Sequence, residues 1–275
     1  MSNIDKRRKF TLYEHLGELR KRVVRIALSI IIFSTIIFTG SLSSITIAER
    51  TFPMIYFDVY DNMSAEIVGL IREITLPDYV EVILTTPGQA LVAQLYVAIL
   101  VGIILSFPII LRESNAFLSP GLYPDEKRIL RNLIIPSTIL FVSGVVFALY
   151  TVIPYTMDFL YKYGIALQAQ TFITINELIS FVVFFLLAFG ISFQLPVVMW
   201  VLSRIGLVEP RVWKENWRYT FMFLVIFGAI ITPDGSGITM WFIIIPMMFL
   251  YIIGYLATRT IKKKNENLTA SIIPS

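Results

Sequence analysis

The chain has 275 residues, a formal net charge of +4 and no cysteine; 56% of its residues are hydrophobic and only 15% are charged. A soluble globular domain carries about 25% charged residues, so this composition excludes an ordinary soluble protein and indicates one that crosses a membrane several times. The lack of cysteine excludes disulfide bonds, thiol catalysis and cysteine-ligated metals. The sequence predicts an all-α membrane protein and no cofactor or metal ion.

Six apolar runs predict six membrane-spanning helices in a single domain, residues 1–258. The first four are close to the roughly 20 residues that a helix needs to cross the hydrocarbon core. The fifth would be only about 20 Å long as a helix, and the turn TPDGSG joins it to the sixth. The last two helices are therefore predicted to be short, and a basic tail, 259–275, to be disordered. The predicted spans are 23–39, 90–111, 133–153, 178–203, 219–231 and 238–257.

Two of the connecting segments are predicted to lie on the external side of the membrane. Residues 40–89 contain seven acidic residues and two basic ones, with an amphipathic pattern at 65–74. This pattern predicts a cap of short helices over the external side. The third span is expected to end at Pro154 because proline interrupts a helix. Residues 155–177 are then expected to form a loop.

The basic residues predict the orientation of the chain. With the N-terminus inside and six crossings, 20 of the 23 Lys and Arg residues lie on the inner side, in the N-terminal segment, the loops 112–132 and 204–218, and the tail. Basic residues next to membrane spans stay in the cytoplasm during insertion. Both termini are therefore predicted to be cytoplasmic.

Two carboxylates lie just before the first span, within a strongly basic segment. Glu14 and Glu18 are four residues apart and so share one face of a helix; Glu18 belongs to the sequence HLGELR. One interpretation is an amphipathic helix in which Glu18 pairs with Arg22. The other is that acidic groups at the membrane boundary receive a cationic ligand.

The loop between the second and third spans contains the sequence FLSPGLYPDEKR. Pro124 suits the first position of a helix, where Asp125 and Glu126 would favour the positive N-terminal end. This arrangement needs no ligand. It also does not exclude a ligand, because the positive potential at the helix N-terminus keeps Glu126 ionised and able to accept a guanidinium group.

Gln194 is the most polar residue deep within a predicted span, in the sequence FGISFQLPV. Intramembrane polar side chains usually face protein or a water-filled cavity. Gln194 could make an ordinary interhelical hydrogen bond or contact a partner helix, and Pro196 would free a backbone carbonyl nearby. Asp234, between the last two spans, could simply form a turn.

Four stretches in order along the chain resemble TatC, the polytopic subunit of the twin-arginine protein translocase: HLGELRKR, SFPIILRESNAFLSPGLYPDEKR, FGISFQLPV and ITPDG. The resemblance implies a receptor in the cytoplasmic membrane of a prokaryote that binds twin-arginine signal peptides. It also implies partnership with single-span TatA- and TatB-type subunits, self-association, and export of folded proteins driven by the proton-motive force. It implies no enzymatic activity and no nucleic-acid partner.

The resemblance also assigns site residues. The family's two signal-binding glutamates match Glu18 and Glu126, and a carboxylate suits arginine because guanidinium is a planar fork that bonds it bidentately. Flanking residues of the same two motifs are predicted to line the signal-peptide site: Leu16, Arg20, Pro120 and Tyr123.

A second assigned region is the docking face for partner helices, which matches Gln194 and Pro196. Many relatives carry glutamate where this chain has Gln194, so a hydrogen bond is expected there rather than a charge-dependent contact. Asp234 matches an acidic residue of the family's external turn.

Two other classes of membrane protein fit the sequence less well. A small-solute secondary transporter would fit the broken helices, but the sequence has no internal repeat and no paired intramembrane charges. An intramembrane enzyme is disfavoured because the spans contain no HExxH sequence and no pair of acids. The lack of a GxxxxGK[ST] loop excludes that mode of ATP binding.

Overall fold

The computed structural model describes residues 12–47, 50–57, 62–232, 237 and 239–270, so Asp234 lies outside the described residues. Helices dominate, with two small β-sheets. The elements in chain order are α1 (Leu12–Thr39), β1 (Gly40–Ile47), β2 (Arg50–Phe57), α2 (Met63–Thr75), β3 (Glu81–Ile83), α3 (Gln89–Leu118), α4 (Pro124–Asn132), α5 (Ile134–Phe147), α6 (Ile153–Ala166), β4 (Phe172–Thr174), α7 (Ile175–Ser192), α8 (Leu195–Arg204), α9 (Pro210–Glu215), α10 (Trp217–Ile231) and α11 (Thr239–Ala270).

Five helical stretches in the described part of the chain are long and apolar enough to cross a membrane. A sixth apolar helix, α10, is shorter. This architecture confirms the predicted all-α membrane fold. The five stretches are His15–Thr39, Gln89–Gly121, Pro124–Ala166, Ile175–Arg204 and Thr239–Ile261.

The third stretch continues past Pro154, where the sequence predicted its end. A π-helical turn, Ala148–Val152, joins α5 to α6, and Pro154 lies in the first turn of α6. The helical chain passes through the π-turn without a gap, and this wider turn accommodates the proline, which has no N–H to donate to a carbonyl of the preceding turn. The predicted loop 155–177 is therefore wrong over residues 155–166, which are helical.

The fourth stretch is interrupted as its proline predicted. Helix α7 ends at Ser192 and α8 begins at Leu195, with Pro196 in the first turn of α8. Pro196 has no N–H to donate to the carbonyl of Ser192, so the helical hydrogen-bond ladder stops and restarts.

The external segment is only partly the predicted cap of short helices. Residues 63–75 form α2, which confirms the helix expected at 65–74. However, β1 and β2 form an antiparallel hairpin, and β3 pairs in parallel with β4, which lies 91 residues further along the chain. Ser64 Oγ donates to the carbonyl of Ile37 at 3.1 Å, and Tyr79 Oη donates to Asp158 at 2.9 Å. These bonds fix the external segment to α1 and α6.

The last two helices differ from one another. Helix α10 is short, as predicted, whereas α11 runs to Ala270 and is the longest helix described. This length corrects the prediction that both are short, and the helix continues into the tail for which disorder was predicted. The short α10 follows α9, in which Trp213 Nε1 donates to Ser203 Oγ at 2.9 Å while the Trp213 carbonyl accepts from Tyr251 Oη.

Helix α7 lies at the centre of the core. Its fully buried side chains face α3 on one side and α5 on another. The rings of Phe107 in α3 and Phe141 in α5 stack with 3.7 Å between their centroids. A helix that is hydrophobic all round is expected in the middle of a bundle. The α7 side chains that are at most 2% exposed are Leu178, Ile179, Val182, Phe185, Leu186 and Phe189.

Candidate functional site

Helices α1 and α3 form a closely packed antiparallel pair that positions the N-terminal motif. The ring of His15 stacks on Phe117, near the end of α3, with 4.4 Å between centroids. Farther along the pair, a Cβ on Gly102 would lie 2.2 Å from Ser34 Oγ and 3.0 Å from the carbonyl of Ile30. Only glycine permits this approach, so the two helices are held in one register.

Glu18 accepts hydrogen bonds from a guanidinium group of its own helix. Arg22 Nε lies 3.1 Å from Glu18 Oε1, and Arg22 Nη2 contacts the same oxygen. The pair is half-buried, with the Glu18 side chain 24% exposed and the Arg22 side chain 17% exposed. The i,i+4 pairing expected from the sequence is therefore present.

Arg22 also reaches across to α3. Its Nη1 donates to Glu113 Oε2 at 3.1 Å, and Arg25 Nη1 lies 3.4 Å from the same oxygen. Glu113 is only 6% exposed. A buried carboxylate is costly unless it is paired and hydrogen-bonded, so Glu113 and Arg22 fix each other in place and join Glu18 to α3.

Glu113 is a functional residue that the sequence pattern did not indicate. Residues 112–132 were predicted to form a loop, whereas α3 continues to Leu118. Had that helix been extended, Glu113 and Phe117 would have been placed four residues apart on one helix face. The sequence pattern could therefore show that the two residues share a face, but not that this face packs against the N-terminal motif.

Glu126 lies in the first turn of α4, where Pro124 occupies the predicted first position. One of its carboxylate oxygens accepts the backbone N–H of Tyr123 at 2.8 Å. This bond satisfies one of the donors that a helix N-terminus leaves free. The helix-start interpretation of this motif is therefore confirmed, and it occupies only part of the carboxylate.

The stacking of His15 on Phe117 brings the two motifs to the same end of the α1–α3 pair. Only the 3₁₀ turn Ser119–Gly121 and the following two residues separate the end of α3 from α4. The flanking residues assigned to the site are exposed: Leu16, Arg20, Pro120 and Tyr123.

Gln194 lies at the break between α7 and α8. Its Nε2 donates to the backbone carbonyl of Ser137 in α5 at 3.1 Å. Pro196 is buried, and a Cβ on Gly254 of α11 would lie 3.0 Å from its Cα. The break is thus packed between α5 and α11, while Gln194 itself stays half-buried.

Comparison with known proteins identifies the family. The family model described as Sec-independent protein translocase protein (TatC) matches residues 14–246. A TatC of Cenarchaeum symbiosum is 42% identical over 266 residues, covering 94% of this chain and 97% of the relative. A TatC of Aquifex aeolicus is 33% identical over 260 residues, covering 92% and 97%.

A solved structure agrees with the sequence comparison. It is described as the crystal structure of the twin arginine translocase receptor TatC, and it superposes with a TM-score of 0.72 at 31% identity, covering 90% of this chain and all of that one. The resemblance inferred from four short motifs is confirmed over nearly the whole chain. The chain belongs to the TatC family of Sec-independent protein translocase proteins.

Proposed function

We propose that this chain is the signal-peptide receptor of a twin-arginine translocase in the cytoplasmic membrane of a prokaryote, with both termini in the cytoplasm. Family membership supports this proposal, and it makes the chain a translocase component rather than an enzyme. Its partners are the twin-arginine signal peptides of folded cargo, single-span TatA- and TatB-type subunits, and further copies of itself. The proton-motive force drives export.

The observation that carries the proposal is that Glu18 already holds a guanidinium group. Arg22 is bound to it at the end of the bundle where the two motifs meet. An arginine of a signal peptide presents the same fork of donors, so it can share Glu18 or replace Arg22 there. Glu113 would continue to pair with a displaced Arg22, which leaves no buried charge without a partner.

Glu126 is proposed to take the second arginine. An ionised carboxylate offers about four acceptor positions, and the Tyr123 N–H uses one of them. The exposed side chains of Leu16 and Tyr123, which belong to the same two motifs as the carboxylates, provide apolar surface for the residues that flank the arginine pair.

Partner docking is proposed at Gln194. The hydrogen bond found for this side chain among the described residues uses its Nε2 and leaves the amide oxygen to accept from a polar group on a partner helix. In hydrocarbon such a bond contributes about 0.6 kcal/mol on average.

The signal-peptide assignment is tested by titrating the purified full chain with two labelled peptides, one carrying Arg-Arg and one Lys-Lys at the same position. We expect the double variant Glu18→Gln/Glu126→Gln to bind the Arg-Arg peptide about tenfold or more weakly, because two charge-assisted pairs are lost. The matched control is Glu209→Gln, an exposed carboxylate in the other basic loop. Unchanged binding by the double variant would reject the assignment.

A further inference from the structure

A cavity of about 430 Å³ lies where α3, α4 and α5 meet, at the end of the bundle that carries the basic loops. Its lining includes four basic residues and no acidic one. We call it the basic cavity, and its charged residues are Arg112, Lys127, Arg128 and Arg131. The proposed signal-peptide site does not use these residues.

The four cations of the basic cavity have no carboxylate partner among the described residues. Of the carboxylates near them in sequence, Glu113 pairs with Arg22, Glu126 accepts the N–H of Tyr123, and Asp125 lies in the first turn of α4 and does not line the cavity. The other basic loop is different, because Arg211 there pairs with Glu215 at 2.5 Å. Four like charges around one cavity repel one another, and a bound anion would relieve that repulsion.

The position of the basic cavity indicates where the anion comes from. Ile134, at the start of α5, lines it, and the next large hydrophobic side chains of that helix that are exposed are Ile135 and Ile139, at 72% and 64% exposure. Apolar side chains this exposed on a membrane-spanning helix face acyl chains. The cavity therefore lies at the level of the lipid headgroups, where basic pockets between spans bind anionic lipids.

We propose that the basic cavity binds the phosphate-bearing headgroup of an anionic phospholipid of the cytoplasmic leaflet. Arginine binds phosphate oxygens bidentately, and the three arginines around the cavity provide that geometry. The acyl chains would lie along Ile135 and Ile139. None of the residues proposed to bind the signal peptide lines the basic cavity, so the lipid and the peptide have separate binding residues.

The proposal is tested by lipid retention in the purified full chain. Native mass spectrometry counts bound lipid after equilibration with either phosphatidylglycerol or phosphatidylcholine. Since a basic residue near the surface contributes about fivefold in affinity for anionic lipid, Lys127→Gln/Arg131→Gln should lower phosphatidylglycerol retention by at least about tenfold. The matched control, Arg204→Gln/Lys214→Gln, removes the same charge from exposed residues of the other basic loop.

The control variant should retain phosphatidylglycerol as the unmodified chain does. An equal loss in both variants would overturn the proposal, because general attraction by net charge would then be sufficient. No loss in the cavity variant would overturn it as well. Both variants should unfold at the temperature of the unmodified chain in phosphatidylcholine, which shows that the substitutions leave the fold intact.

Two further measurements use the unmodified chain. A photoactivatable phosphatidylglycerol should crosslink within residues 112–139, and adducts confined to 204–218 would contradict the proposal. Phosphatidylglycerol should raise the unfolding temperature more than inorganic phosphate at the same concentration. If phosphate alone raises it equally and blocks lipid retention, the ligand is a soluble anion and the lipid assignment is wrong.

Discussion

At the scale of single residues, one arginine connects the candidate site to the core. Arg22 binds Glu18 on its own helix and Glu113 on α3, and its side chain is only 17% exposed. Because Glu113 is buried, removing Arg22 would leave this carboxylate with only the longer 3.4 Å contact to the exposed Arg25. Arg22 is therefore a structural residue that also occupies the carboxylate proposed for ligand binding.

We expect Arg22→Gln to lower the free energy of unfolding by roughly 1–3 kcal/mol. The double variant Arg22→Gln/Glu113→Gln should recover part of that loss, because it no longer buries an unpaired charge. Arg25→Gln is the control, since this side chain is 63% exposed and lies 3.4 Å from Glu113. Denaturant unfolding in detergent measures all three, and a double variant no more stable than the single one would contradict this account.

Gln194 offers a second test at this scale. Gln194→Leu removes the hydrogen bond to Ser137 and should cost only about 0.6 kcal/mol. Because the amide oxygen is lost as well, co-purification of the single-span subunits should fall several-fold while signal-peptide binding is retained. Val198→Leu, one turn further along α8 and half-exposed, is the control. If co-purification survives in Gln194→Leu, the residue only joins α5 to α8.

At the scale of elements, close helix contacts decide the register of the bundle. Gly102 brings α3 against α1, and Gly190 brings α7 against α5, where an added Cβ would lie 2.6 Å from the ring of Phe141. Small residues allow membrane helices to approach closely, and dispersion contacts then hold them, since hydrocarbon gives no hydrophobic drive for association. The register of α1 on α3 in turn places Glu18 beside Glu113.

Gly190→Ala should lower the free energy of unfolding by roughly 1–3 kcal/mol through overpacking. The added methyl meets Phe141, which is 1% exposed and stacked on Phe107, so the ring has no free space to enter. Gly69→Ala in α2 is the control, because nothing lies within 4 Å of the new Cβ there. It should be neutral or stabilise by up to about 1 kcal/mol. Equal thermal stability of the two variants would show that α5 and α7 can separate freely.

At the scale of the whole molecule, the two ends of the bundle differ in chemistry. One end carries the β1–β2 hairpin, α2 and the β3–β4 pair. The other carries the two motifs, the ion pairs of Glu18 and Glu113, and the basic cavity. This polarity, together with the excess of basic residues at the second end, supports the proposed orientation in the membrane.

Orientation is directly measurable because the chain has no cysteine of its own. We expect Lys162→Cys in intact cells to react with a membrane-impermeant maleimide, since positive-inside orientation puts this exposed residue outside. Lys214→Cys should react only after the membrane is permeabilised. The reverse pattern would invert the proposed topology and move the carboxylate site to the outer face.

Local sequence patterns are sufficient to predict the membrane class, the family and the two helix starts marked by Pro124 and Pro196. Span length and charge bias are properties of consecutive residues, and Pro124 and Pro196 act on their own turns, so local patterns suffice for these features. Glu18 and Glu126 could be identified for the same reason, because each belongs to a short motif of consecutive residues.

The contacts between residues that are far apart in the sequence depend on the tertiary structure. Arg22 and Glu113 are 91 positions apart, Gln194 and Ser137 are 57 apart, and β3 pairs with β4 although four α-helices lie between them in the chain. No local period encodes such pairings, because they depend on how closely glycines let helices approach and on which buried charges then need a counterion. Glu113 needs a counterion because it is buried, and its burial depends on how the helices of the bundle pack together.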